Sequence, residues 1–283
     1  MAHTVPFAPL PVSQTDVTYE YGPDSHPHPA VEPGAVEEVT LEDSAIFPGT
    51  TRRIWLHRPA GHTASVPSAL MIFNDGWWYL DPDGSVRGAT VLDNLAAHGD
   101  LPPMIGVFVD PGTRTVDGVP TKNRNVEYDA FDDRYASFLL DEVLPLVATR
   151  FAISDDPMMR GICGGSSGGN AALTAAWTRP DGLGRVIAFN ASFAQMPGGN
   201  PYPTLLANEP RRAMRVFLHA GHRDINWDSA EENWFAENLE TAASFARAGY
   251  DFRLVVGDGG HSPNHGGVLL PDALRWLWAS SVH

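Results

Sequence analysis

A single cysteine, Cys163, and a single lysine, Lys122, occur in 283 residues. One thiol excludes an internal disulfide and any cysteine-rich metal site. The scarcity of lysine leaves almost every cation to arginine, which reads as coding bias rather than a clue to function. Basic residues are few altogether: 19 stand against 34 acidic ones, for a formal net charge of −15. That balance repels nucleic acid and anionic membrane at long range, and no Lys/Arg cluster interrupts it, so neither is an expected partner. No apolar run approaches the ~18 residues that a membrane-spanning helix needs. The opening MAHTVPFAPLPVSQT lacks the basic and apolar regions of a secretory signal, which predicts a cytoplasmic protein.

What is present is an ordinary globular composition, 43% hydrophobic and 19% charged. A chain of this length fits one large domain, which buries roughly 75% of its unfolded surface. Residues 1–34 are rich in proline, histidine and polar side chains and read as an extended arm, packed on the domain or partly disordered. His26 and His28 fall there and are expected to be exposed and metal-free. Residues 35–283 are expected to form the single catalytic domain. Apolar, β-branched runs recur at 35–40, 53–57, 69–73, 105–109, 159–163, 186–189, 215–219 and 252–256. Amphipathic helical stretches fall between most of them, at 91–98, 133–149, 169–177, 230–248 and 268–278. The short FPGTT turn predicts that the first two strands form an antiparallel hairpin. The later alternation predicts a mostly parallel sheet of about eight strands with helices on both faces. Ligands of such sheets bind beyond the carboxyl ends of the strands, so the residues after each strand carry the most information.

The run at 159–163 leads straight into Gly164-Gly165-Ser166-Ser167-Gly168-Gly169 and then a helix former. Strand, glycine-rich turn and helix are the context that a G-x-S-x-G nucleophile turn requires. The bend strains the serine backbone and leaves no room for side chains two residues away, while the helix N-terminus favours developing negative charge. Two registers fit. Ser166 is preferred, because Ser167 is then free to supply an oxyanion N–H. Cys163 competes as nucleophile but lies on the strand, where a buried inert thiol is expected.

A serine nucleophile needs a general base oriented by an acid, and in this arrangement they follow in the order Ser, Asp or Glu, His. Asp224 stands just after RVFLH, and His261 just after FRLVV. His265 competes with His261. Their i, i+4 spacing hints at a metal pair, but Gly259, Gly260 and Pro263 predict a loop, in which His265 lines the pocket or bonds locally. Asp228 and Glu232 compete with Asp224 but are expected in the first turn of the next helix. His222 is expected to be a solvated loop residue.

The strand at 69–73 ends in Asn74-Asp75-Gly76-Trp77-Trp78-Tyr79. This loop commonly supplies the second oxyanion donor, here the Trp77 N–H, alongside that of Ser167. Trp78 and Tyr79, with Trp227 and Trp234, are expected to form an apolar acyl or alcohol pocket. Residues 110–129 read as a long polar loop, braced by an Arg124–Glu127 pair or offering Arg124 to an anionic or hydroxyl-rich substrate.

From about residue 35 onward these motifs resemble the esterase D / enterochelin-esterase-like (Fes-type) branch of the α/β-hydrolases. The resemblance rests on Asp75-Gly76-Trp77, on Arg124-x-x-Glu127-Tyr128 and on the G-x-S-x-G-G of 164–169. It continues through Gly221-x-x-Asp224 and Gly259-Gly260-His261. It implies an α/β-hydrolase fold with Ser166 as nucleophile, His261 as base and Trp77 as an oxyanion donor. Members share a mechanism but not a substrate, which ranges over siderophore, aromatic and carbohydrate esters and includes acyl transfer. Siderophore esterases of this kind often carry an extra N-terminal domain; the short arm argues against a trilactone siderophore.

The expectation is a serine carboxylesterase that needs no cofactor or metal and acts on a small-molecule ester through Ser166, Asp224 and His261. The competing readings are an acyltransferase with the same triad, a metal-dependent hydrolase built from His219, His222, Asp224, His261 and His265, and a non-catalytic binding protein. Assembly into a homo-oligomer is left open by the sequence.

Overall fold

The computed structural model of the chain describes residues 17–63 and 66–279, so residues 1–16 of the N-terminal arm lie outside the described residues. Among the described residues ten strands form: β1 (Ala35–Leu41), β2 (Arg52–Arg58), β3 (Ala69–Asn74), β4 (Met104–Val109), β5 (Thr113–Val116), β6 (Val119–Lys122), β7 (Arg160–Gly165), β8 (Arg185–Phe189), β9 (Arg215–Gly221) and β10 (Asp251–Gly257). Eight of them make one sheet in the order β1-β2-β4-β3-β7-β8-β9-β10. β2 runs antiparallel to both β1 and β4, and every other pairing is parallel. This is the mostly parallel α/β sheet expected from the alternating pattern.

The helices are α1 (Gly76–Leu80), α2 (Gly88–His98), α3 (Arg124–Tyr128), α4 (Arg134–Ser137), α5 (Leu144–Ala148), α6 (Ser167–Thr178), α7 (Tyr202–Asn208), α8 (Trp234–Arg247) and α9 (Pro263–Trp278). Central strands such as β3 and β4 are buried along their whole length, as crossovers on both faces demand. Alternate residues feed two cores. Leu70 and Ile72 join one with α4, α5, α6 and α8, while Met71 and Phe73 join the other with α2 and α9. No helix among the described residues is long and apolar enough to cross a membrane.

Four local expectations are corrected. The helix expected over 133–149 is interrupted by a π-helical stretch at Phe138–Val143. Pro145 stands at the start of α5 and has no N–H to give to the preceding turn, so the chain widens there. The segment 110–129 is not a structureless loop. β5 and β6 pair as a hairpin through Asp117 and Gly118, both at positive φ, and α3 follows. α8 begins at Trp234 behind the Asn233 side chain, which accepts the Ala236 N–H, so Asp228 and Glu232 lie in the loop before it. α9 begins early, with Ser262 capping the Asn264 N–H and Pro263 in the first turn, which places His265 on the helix.

Residues 17–34 lie against α2 and α9. Tyr21 donates to Ser85 O at 2.7 Å, and Asn94 Nδ2 donates to Asp24 O and His26 O at 2.9 Å each. Arg275 Nη1 meets Asp24 Oδ2 at 2.9 Å.

One buried ion pair holds the base of the β5–β6 hairpin to the sheet. Arg52 Nη1 lies 2.8 Å from Glu127 Oε2, and both side chains are fully shielded from solvent. Glu127 also accepts from Gly112 N–H and Asn123 Nδ2, while the Arg52 guanidinium stacks 4.0 Å from the centre of the Phe138 ring. The sequence paired Glu127 with Arg124; Arg52 takes it instead. Removing one member of a buried pair leaves its partner charged without compensation. Glu127→Ala is therefore expected to lower the free energy of unfolding by about 3–5 kcal/mol in chemical denaturation. A loss below about 1 kcal/mol contradicts this role.

Candidate active site

Ser166 occupies the bend between β7 and α6 with φ 58° and ψ −130°, a conformation that an L-residue holds only under constraint. The constraint is visible. A Cβ on Gly164 would stand 2.3 Å from the backbone of Gly168, so strand and helix meet there main chain to main chain. Ser166 N–H donates to Phe189 O at 2.9 Å, and Ser166 O accepts from Gly169 and Asn170 N–H. Ser166 lines a cavity of about 270 Å³ together with Trp78, Tyr79, Phe189, His261 and Pro263. Ser167 is the first residue of α6 and is buried. Its N–H is among the first-turn donors that a helix cannot satisfy internally.

Asp224 and His261 come from the loops after β9 and β10, which are adjacent parallel strands. His261 Nδ1 lies 2.7 Å from Asp224 Oδ1. The Asp224 side chain is fully buried and the His261 ring about 30% exposed, so the pair reaches from the interior to the cavity. Asp224 Oδ1 also accepts the Ile225 N–H at 2.8 Å, and the edge of Trp234 packs on the imidazole with ring centres 4.7 Å apart. Carboxylate and imidazole thus have fixed orientations.

Arg124 does not pair with Glu127. It makes a bidentate contact with Asp75, Nε to Oδ1 at 2.6 Å and Nη2 to Oδ2 at 2.7 Å, and its Nη2 reaches Gly165 O at 3.4 Å. Burial opposes the guanidinium charge, but the Asp75 carboxylate outweighs it and raises the group above its ordinary value. Asn74, unremarked in the sequence, spans the same junction. It accepts from Tyr135 and donates to Gly168 O, each at 2.7 Å.

The Trp77 N–H, expected to face an oxyanion, donates instead to Asp110 Oδ1 at 3.0 Å. α1 begins immediately after β3, and its first turn meets the carboxylate at the end of β4. Trp78 and Tyr79 do line the Ser166 cavity, whereas Trp77 faces a neighbouring cleft. Trp227 lies outside both, exposed and stacked on Arg223. Trp234 is buried beneath His261.

His265 is also absent from the cavity. It is buried on α9 against His219, with ring centres 4.0 Å apart, and Tyr19 packs on its other side. Burial pushes both imidazoles below the ordinary histidine range, His219 the further. His222 lies 3.9 Å from Asp258 and edge-on to Phe235. The five side chains of the metal reading are therefore divided between separate contacts, and among the described residues no group of three such side chains is arranged to hold a metal ion. Cys163 is fully buried on β7, and burial raises its thiol well above the ordinary range.

The chain is 27% identical over 266 residues to the iron(III) enterobactin esterase of Dickeya dadantii, a match covering 88% of this chain and 56% of that protein. The enterobactin esterase FES of Shigella flexneri, solved in the presence of enterobactin, superposes with a TM-score of 0.72 at 20% identity, over 90% of this chain and 61% of that one. A mutant feruloyl esterase module from Clostridium thermocellum, complexed with sinapinate, gives 0.64 at 16% identity, with 95% and 96% covered. The chain thus spans about three-fifths of the length of the enterobactin esterases it matches. The family model described as "Putative esterase" matches residues 44–277, most of the chain, and the protein belongs to that family.

Proposed function

We propose that the protein hydrolyses a carboxylic ester through Ser166, with His261 as general base and Asp224 as the acid that orients it. The observation that carries this reading is the 2.7 Å Asp224–His261 contact opening on the cavity that Ser166 lines. In this reading Ser166 Oγ attacks the acyl carbon as the imidazole takes its proton. The same proton is then returned to the leaving alcohol, and water resolves the acyl-enzyme by the reverse use of His261. Buried Asp224 holds the tautomer with Nδ1 protonated and stabilises the imidazolium while it exists. Membership of an esterase family, and relatives whose names are those of esterases, support an ester as the bond cleaved.

Ser167 N–H, at the head of α6, is the oxyanion donor in this scheme, aided by the positive end of the helix. Trp77 N–H joins it only when Asp110 turns away, since that carboxylate now accepts its hydrogen.

Two measurements test the assignment. A fluorophosphonate reagent is expected to add to Ser166, located by peptide mass spectrometry. Ser166→Ala should lose about 10⁶ in kcat on an activated aryl ester, and Asp224→Ala about 10⁴, with both variants still folded. An adduct on Ser167, or turnover unchanged in Ser166→Ala, overturns it. A second expectation concerns the thiol on the strand before the turn. Cys163 should resist iodoacetamide in the native protein, with esterase activity retained during that treatment, and react only after unfolding.

A further inference from the structure

Beside the Ser166 cavity lies a larger cleft of about 730 Å³ that shares Asp75, Trp78 and Arg124 with it. Its composition runs against that of the whole molecule. In a chain of net charge −15 its walls carry Arg52, Arg53, Arg114, Lys122 and Arg124, with only Asp75 and Asp110 opposing them. Three of these cations are committed. Arg52 pairs with Glu127, Arg124 with Asp75, and Arg53 Nη2 lies 3.3 Å from Asp110.

Arg114 and Lys122 are not committed in this way. Both are exposed on the β5–β6 hairpin, and among the described residues neither has a carboxylate within ion-pair distance. The Lys122 ammonium lies 5.9 Å from the centre of the Trp78 ring. Trp77 and Trp78 are 45% and 63% exposed in the same cleft, an unusual placement for two adjacent indoles. Lys122 feels Asp110 only at a distance and, among the described residues, neither cation is locked in an ion pair; such cations, beside aromatic surface left open to water, recognise a planar anion: the ring covers the indoles and its charge meets the cations.

We propose that this cleft is the subsite for the part of the ester remote from the reacting carbonyl, and that Arg114 and Lys122 select a planar group bearing negative charge, seated against Trp77 and Trp78. The inference rests on the esterase reading, because the shared walls make the cleft continuous with the Ser166 cavity. It makes Arg114 and Lys122 specificity residues and gives a purpose to the hairpin, which pairs as a separate two-stranded sheet.

The test uses matched ester pairs in which a carboxylate is replaced by a neutral carboxamide. One pair carries the group on the alcohol side, as 3-carboxyphenyl and 3-carbamoylphenyl butyrate. The other carries it on the acyl side, as 4-nitrophenyl esters of 4-carboxybenzoate and 4-carbamoylbenzoate. In at least one pair the wild type is expected to favour the anion by about tenfold in kcat/KM, through KM, and to lose that preference between about 0.05 and 0.5 M salt. The pair showing the preference identifies which side of the ester occupies the cleft. Arg114→Gln with Lys122→Gln should bring the two esters within about twofold while leaving the neutral one unchanged, and Lys122→Glu should disfavour the anion. No preference in either pair, or a preference that survives the double variant, overturns the proposal. Absence of turnover on every ester would strike the esterase reading instead. Terephthalate binding, followed by tryptophan quenching, then decides the cleft by itself: about tenfold weaker binding in the double variant supports it, and equal or undetectable binding in both proteins refutes it.

Discussion

Gly164 and Gly168 touch through their main chains, and the geometry around Ser166 follows from that contact. A side chain on Gly164 would stand 2.3 Å from the next turn of backbone, so the strand can enter the helix only with Ser166 thrown into a rare left-handed conformation. The strain is of order 1–3 kcal/mol, and the surroundings hold it in place. Phe189 O takes the Ser166 N–H, Asn74 grips Gly168 O, and Arg124 joins Asp75 to Gly165 O. Each tie reaches the turn from a different element. The serine is positioned by its neighbours rather than by its own side chain.

Asp224 and His261 are placed by a second constraint, the parallel pairing of β9 and β10. Gly221 and Gly257 are partners in register, so the loops that follow them leave the sheet side by side. Asp224 is three residues past the end of one strand and His261 four past the other, near enough to meet at 2.7 Å. Full burial of the carboxylate keeps water from competing for the imidazole N–H. Trp234 adds a wall that restricts the ring. The pair therefore stands fixed on the wall of the cavity that Ser166 also lines.

Much of this arrangement was legible in the sequence, and the missing parts have physical reasons. All eight strands of the main sheet appeared as apolar or β-branched runs, the central β3 and β4 most plainly, because strands buried on both faces have no polar face to disguise them. The β5–β6 hairpin escaped notice because its strands are four residues each and mostly exposed, although Asp117-Gly118 is a recognised turn signal. The glycines at 259 and 260 hid the Ser262-Pro263 helix start, which displaced His265 from loop to helix. The partners of Arg124 and Glu127 were out of reach for another reason. Asp75 lies 49 positions from Arg124, and Arg52 lies 75 from Glu127, so only the folded sheet chooses between them. The same holds for the Trp77 N–H, whose acceptor is set by where β4 ends.

The lone lysine acquires a practical meaning from its position. Lys122 ends β6 on the wall of the larger cleft, and no other side chain of the protein bears a primary amine. Amine-coupling chemistry applied to side chains, whether for surface immobilisation, dye conjugation or crosslinking, would therefore converge on the cleft mouth. An attached matrix or fluorophore would crowd Trp78 and enter the space beside the serine, so tethering through a cysteine introduced on a distant helix would preserve access.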